Sequence, residues 1–219
     1  MSISSGCEEE GDSKRPSDQA VVKTTRMAGC DAPPALRDII ARYGRMVSSI
    51  SRRMIRDEEI ARDAAQEVWL EIVRNLHSFR GESQISTWIY TIATRVILNY
   101  AKNERIHSTK FLRDFFHGEE RQYPEDADAN RDIWVRQMCD QCLTGILHCL
   151  DNEARIAFIL REIADVAYGE IACILDKDEA AVRKIISRSR RKLKNFLEDE
   201  CILFNRRGGC RCRMRKRPE

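Results

Sequence analysis

From Leu36 onward, apolar residues return every three or four positions, and Leu36, Ile39, Ile40, Tyr43, Val47, Ile50 and Met54 fall on one helical stripe. A second stretch from near Asp57 to Leu76 directs Ile60, Ala64, Val68, Ile72, Val73 and Leu76 inward. A short polar loop, His77 to Ser83, follows. Ser86 is expected to cap a third helix, because its hydroxyl can accept from a backbone N–H that the first turn leaves unpaired. That helix carries Trp88, Ile89, Ile92, Val96 and Tyr100. The pattern lapses between His107 and Asn130, where Gly118, Pro124 and the acidic residues Glu119, Glu120, Glu125, Asp126 and Asp128 predict a linker. Helical spacing resumes near Arg131 and lasts to about Leu197, and no stretch alternates as a strand would. The expected architecture is all-α. It comprises a disordered arm over 1–34, a helical domain over 35–106, an acidic flexible linker over 107–130, a second helical domain over 131–198 and a cysteine-rich basic tail over 199–219.

Within the second domain, Tyr168 to Leu193 reads as helix, turn, helix. Ile171, Ala172 and Leu175 mark the first helix, Asp176-Lys177-Asp178 the turn, and Asp178 a cap for the second helix. Asp176 stands where a turn glycine is usual, but aspartate tolerates the left-handed conformation better than most residues. The second helix buries Val182, Ile185, Ile186, Ser189, Leu193 and Phe196 and presents Arg183, Lys184, Ser187, Arg188, Arg191 and Lys194. A helix with one apolar stripe and basic residues elsewhere suits a major groove, where arginine and lysine reach guanine edges and phosphates. The same pattern also describes an amphipathic surface helix in a bundle.

Charge sharpens this picture. The chain has 219 residues, with 38 Lys+Arg against 35 Asp+Glu and a net charge of +3. Residues 183–219 hold 14 basic and 4 acidic side chains, so the remainder is net acidic. A basic end on an acidic body points to a polyanionic partner for that end. No apolar run approaches the ~18 residues of a membrane helix, and the polar start with Glu8-Glu9-Glu10 is unlike a signal peptide.

The nine cysteines are an odd number and cluster toward the second domain and the tail, which fits metal or thiol chemistry in a reducing compartment. A zinc set of Cys142, Cys201, Cys210 and Cys212 is one expectation, with Cys139 or His148 as a substitute ligand. The alternatives are a thiol redox switch and ordinary small core residues, the latter for Cys142 and Cys149 on one helix face and for Cys173 in an apolar helix. No cofactor is required by the pattern.

In the first domain, Asp63, Gln66 and Glu67 share an exposed face of the second helix, a polar patch suited to docking a partner. Phe79-Arg80-Gly81-Glu82-Ser83 precedes a helix bearing Arg95, Asn99 and Lys102, residue types able to hold a flipped base and its phosphates.

The order of these pieces is more telling than any one of them. The Asp-x-x-Gln-Glu helix, the Phe-Arg-Gly-Glu-Ser loop, the Ser86-Thr87-Trp88-Ile89 helix, the linker and the helix-turn-helix together resemble a bacterial extracytoplasmic-function sigma factor of the sigma-70 family, from about Leu36 to Phe196. The resemblance implies a promoter-specificity subunit, not an enzyme, that works with core RNA polymerase and promoter DNA in the bacterial cytoplasm, at the nucleoid when bound to polymerase. It implies docking of Asp63, Gln66 and Glu67 on the beta-prime clamp helices, with further contact at the beta flap. It implies capture of a minus-ten base by Phe79, Arg80, Gly81, Glu82 and Ser83, with Arg95 and Asn99 facing DNA. Arg183, Lys184, Ser187, Arg188 and Arg191 would read the minus-thirty-five element, with Ile185 at a commonly basic position. An anti-sigma factor is a further expected partner. The rival reading is an autonomous helix-turn-helix regulator with a metal- or redox-sensing cysteine cluster; a Cys/His enzyme is a more distant one.

Overall fold

A computed structural model describes residues 33–79, 81, 83–118, 140–201 and 204–210, and among these residues all regular structure is helical. The first helix, α1 (Pro33–Met54), buries Ile39, Tyr43, Val47, Ile50 and Met54, the stripe expected from the spacing, but leaves Ile40 outside. After a one-turn break, Asp57 caps α2 (Glu58–Asn75), its Oδ1 accepting from the N–H groups of Glu59 and Ile60 at 2.9 Å each. Glu58 and Glu59 in the first turn and Arg74 in the last oppose the charges at the helix ends.

The buried face of α2 is not the one its most hydrophobic residues suggest. Ala61, Ala64, Ala65, Val68 and Ile72 face the core, whereas Ile60 and Val73 are 45% and 48% exposed. Small side chains let α2 lie close against its neighbours, and that contact outweighs the larger apolar area of Ile60 and Val73. The third helix, α3 (Ile85–Tyr100), also departs from expectation. It begins one residue before Ser86, at the buried Ile85, and Gln84 occupies the cap position without a side-chain cap bond. Burial of Ile85 decides the helix start over the capping preference of serine.

Part of the expected linker is helical. α4 (Thr109–Gly118) seats Leu112 in the core and pairs Arg113 with Glu200. The acidic run from Glu119 to Asp128 and the arm up to residue 32 lie outside the described residues. The second module consists of α5 (residues 140–147), α6 (Asn152–Glu162), α7 (Tyr168–Leu175) and α8 (Glu179–Glu200).

The two modules meet along a polar seam. Arg155, at the start of α6, is 0% exposed and donates to three backbone carbonyls: Leu147 at 3.2 Å, Leu150 at 3.0 Å and, across the seam, Met54 at 2.9 Å. Asn152 Nδ2 donates to the Ala101 carbonyl at 2.6 Å, the His107 N–H to the His148 carbonyl at 2.9 Å, and Thr87 Oγ1 to Glu170 Oε1 at 2.6 Å. Arg53 pairs with Asp140. Apolar contacts run beneath these bonds, so the buried cluster is continuous from α1 to α8. No helix among the described residues is long and apolar enough to cross a membrane.

His148 is buried in this seam, and neither ring nitrogen has a hydrogen-bond partner among the described residues. Glu104 Oε2 stands 3.6 Å from Nδ1, too far for a hydrogen bond. Burial first, then the Arg155 and Arg56 guanidiniums and His107, hold the imidazole down to about 3. The unfolded chain takes up that proton near the ordinary 6.5, the folded chain only near 3. Acidification across this window therefore favours unfolding, by at most about 1.4 kcal/mol per pH unit from this group. Replacing His148 with leucine should flatten the fall in stability between those limits, measured by denaturant melts at stepped pH. Parallel curves for the two proteins would contradict the assignment.

Candidate nucleic-acid interface

The helix-turn-helix forms as its sequence directs. Asp176 ends α7 in the left-handed region, at φ 52 and ψ 52, and Lys177 N–H returns to the Ala172 carbonyl at 2.9 Å. Asp178 then caps α8, accepting from Ala181 N–H at 2.7 Å. Lys177, at a position that usually packs an apolar side chain, instead reaches Glu153 at 3.2 Å. Val182, Ile186, Ser189, Leu193 and Phe196 are buried, and Ile185 is half-buried.

The cations of α8 fall into two sets. Arg190 is held by Glu162, Lys192 donates to the Cys149 carbonyl at 2.7 Å, and Lys194 lies 3.5 Å from Glu198. Arg183 is paired with Glu179 and lies over the Tyr168 ring. By contrast, Lys184, Arg188 and Arg191 are exposed, as is Ser187, and the three cations have no ion pair among the described residues. Unneutralised charge on a helix that an HTH projects outward is the requirement for phosphate contact.

On the first module, Asp63 and Gln66 are exposed on α2, while Glu67 is half-buried and 3.2 Å from Arg74. Arg74 also meets Glu71 at 2.8 Å, and Glu71 in turn approaches Arg95 at 3.5 Å. Glu67, Glu71, Arg95, Asn99 and Lys102 line one cleft of about 520 Å³ between α2 and α3. Sequence spacing assigns Glu67 and the pair Arg95 and Asn99 to two surfaces; the fold joins them. Glu71 has no such assignment; its only sequence signal is the three-residue spacing to Arg74.

The loop before α3 is anchored by Phe79, which packs on Trp88 with ring centroids 5.3 Å apart. Gly81 is exposed with φ 74, a conformation that L side chains rarely adopt, and Ser83 is exposed beside it. Arg80 and Glu82 lie outside the described residues. Thr87, at the start of α3, is covered by Glu170 of α7, a contact with no local sequence signal.

Among the described residues, no three His, Cys, Asp or Glu side chains converge as metal ligands. Cys142 and Cys201 are half-buried and Cys210 is buried, its N–H donating to the Glu200 carbonyl at 3.0 Å; Cys139 and Cys212 lie outside the described residues. Cys142 and Cys149 do not share a helix face, because α5 ends at residue 147 and Cys149 sits in the turn beyond it. Burial pushes the Cys149 thiol up, a poor setting for redox reactivity. Cys173 is exposed rather than in the core.

An HTH with a free cationic face, joined to a helical module with an exposed acidic helix, defines a two-module DNA-binding protein. The family description "Sigma-70 region 2" matches residues 39–106, and "Sigma-70, region 4" matches residues 140–193. The ECF RNA polymerase sigma-E factor of Haemophilus influenzae is 27% identical over 184 residues, covering 83% of this chain and 95% of that protein. The sigma-E factor of Escherichia coli K12 is 29% identical over 169 residues, covering 73% and 85%. The solved structure of CnrH in complex with the cytosolic domain of CnrY shares the fold, with a TM-score of 0.61 at 17% identity over 83% of this chain and 97% of that one. The chain belongs to the sigma-70 family, among its ECF sigma factors.

The turn geometry yields a direct check. Asp176→Gly should leave stability unchanged or slightly raised, because glycine adopts the left-handed region freely. Asp176→Val should lower it by about 1–2 kcal/mol. Equal melting temperatures for the two variants would contradict the observed turn.

Proposed function

We propose that this chain is the dissociable promoter-specificity subunit of a bacterial RNA polymerase. It binds core enzyme, selects promoters at their minus-ten and minus-thirty-five elements and starts strand separation; polymerase makes every bond. The observation that carries this reading is the cationic face of α8, Lys184, Arg188 and Arg191, unpaired among the described residues, on a properly turned HTH.

Each role rests on elementary chemistry. Free cations displace counterions from phosphates, giving affinity that falls with salt, while base-edge contacts select the site. Lys184, Arg188 and Arg191 supply the first, and Arg183 with Ser187 the second, at the minus-thirty-five element. At the minus-ten element, the Phe79–Ser83 loop with Arg95 and Asn99 offsets the unstacking of one base, so melting begins at a chosen step. Asp63, Gln66 and Glu67 face the beta-prime clamp helices. Exposed Ile60, Leu70 and Val73 give the same helix the apolar area an interface needs. An autonomous regulator would leave that mixed face without a task.

The setting is the cytoplasm, where core polymerase and promoter DNA meet. CnrH is held in complex with the cytosolic domain of another protein, and a dedicated protein partner is proposed for this chain too. Zinc on the cysteine tail is a separate proposal. One equivalent of metal in native mass spectra of the reduced full chain, lost on chelation, would support it, and none would remove it.

Run-off transcription with core polymerase is the main test. Added protein should open new start sites, and no added initiation would defeat the proposal. Asp63→Ala with Gln66→Ala should weaken core binding several-fold without changing site choice. Arg191→Ala should weaken binding to all duplexes alike and reduce the logarithmic salt slope by about one.

A further inference from the structure

Arg183 differs from the neighbouring cations Lys184, Arg188 and Arg191 in being held before any DNA arrives. Its Cζ lies over the Tyr168 ring, 4.2 Å from the centroid. Glu179 Oε1 accepts from Nε at 2.9 Å and from Nη2 at 2.5 Å. All of these residues belong to the second module, so the arrangement does not depend on how the two modules sit.

The pairing leaves a defined set of donors. A guanidinium carries five N–H groups, and Glu179 takes the one on Nε and one on Nη2. The three that remain lie along the Nη1/Nη2 end, the edge that fits the paired O6 and N7 acceptors of guanine. The Tyr168 contact and the two bonds to Glu179 restrain that edge, so less rotamer freedom is lost on binding than from a free arginine. Arg183 is also the fifth residue of α8, in the N-terminal part that an HTH turns toward base edges. The Glu179 carboxylate beside it disfavours a phosphate, whereas Lys184, Arg188 and Arg191 are free to take phosphates.

We infer that Tyr168 and Glu179 are positioning residues that aim Arg183 at a guanine in the minus-thirty-five element, making Arg183 the base-reading cation of the helix. The inference rests on the promoter-specificity reading above and names how one base is chosen.

The test is run-off transcription by core polymerase plus the full chain on promoter duplexes randomised across the minus-thirty-five element, with the transcripts sequenced. The wild type should prefer guanine at one position, and Arg183→Ala should abolish that preference. Tyr168→Leu should reduce it roughly fivefold or more, leaving preferences at other positions in place, while Tyr168→Phe and Tyr168→Trp, which keep a stacking face, should retain it. In the Arg183→Ala background, Tyr168→Leu should change nothing further. Glu179→Ala should weaken the same position. If thermal melts show Tyr168→Leu unfolded, Glu179→Ala decides, and an unchanged guanine preference there overturns the inference. It is likewise overturned if folded Tyr168→Leu keeps the preference, if Tyr168→Phe loses as much as leucine, or if the wild type transcribes without any such preference. Absence of initiation with wild-type protein on every duplex would instead remove the promoter-specificity reading, and this inference with it.

Discussion

One buried cation ties the two helical modules together. Among the described residues Arg155 forms no salt bridge; its guanidinium is satisfied by the carbonyls of Leu147, Leu150 and Met54. Met54 ends α1 and Leu147 ends α5, so the negative ends of two helix dipoles converge on the same positive charge. Burial lowers the group to about 10, which still leaves it charged at neutral pH. Removing the side chain would strand carbonyls from both modules, each an unmet acceptor costing about 1–3 kcal/mol. The start of α6 is thereby fixed, and α7 and α8 follow from it through the Val166 and Asp176 turns.

Much of this was legible from local pattern. The α1 stripe, the caps Asp57 and Asp178 and the left-handed Asp176 each follow from chemistry within one turn of the residue concerned. The reading failed where distant residues decide. Ile60 and Val73 were placed inside by their hydrophobicity, but α2 is packed through its alanines, a choice that depends on how closely α1 and α3 approach. Ser86 had the right side chain for a cap and lost the position to the burial of Ile85. Arg155 gave no signal at all, since its partner Met54 is 101 residues away.

The functional surfaces were legible as residue types and much less so as groupings. Spacing alone identified the basic positions of α8, but not which of them were already engaged by Tyr168, Glu162 or Glu179. Nor could it place Glu67 in a common cleft with Arg95 and Asn99, which requires α2 and α3 side by side. Family membership added what local pattern lacked, an ordered set of weak features spanning both modules.

The seam itself constrains how such a molecule can work. Adjacent base pairs are about 3.4 Å apart, so elements some 25 pairs apart are about 85 Å from one another. A compact chain of this length has a radius of gyration of roughly 17 Å. With Thr87 bonded to Glu170, the start of α3 lies under the reading module, and one rigid body of this size cannot reach both elements. Reaching both elements would require the modules to part. Parting them would exchange the seam's hydrogen bonds for bonds to water and would also expose the apolar contacts beneath.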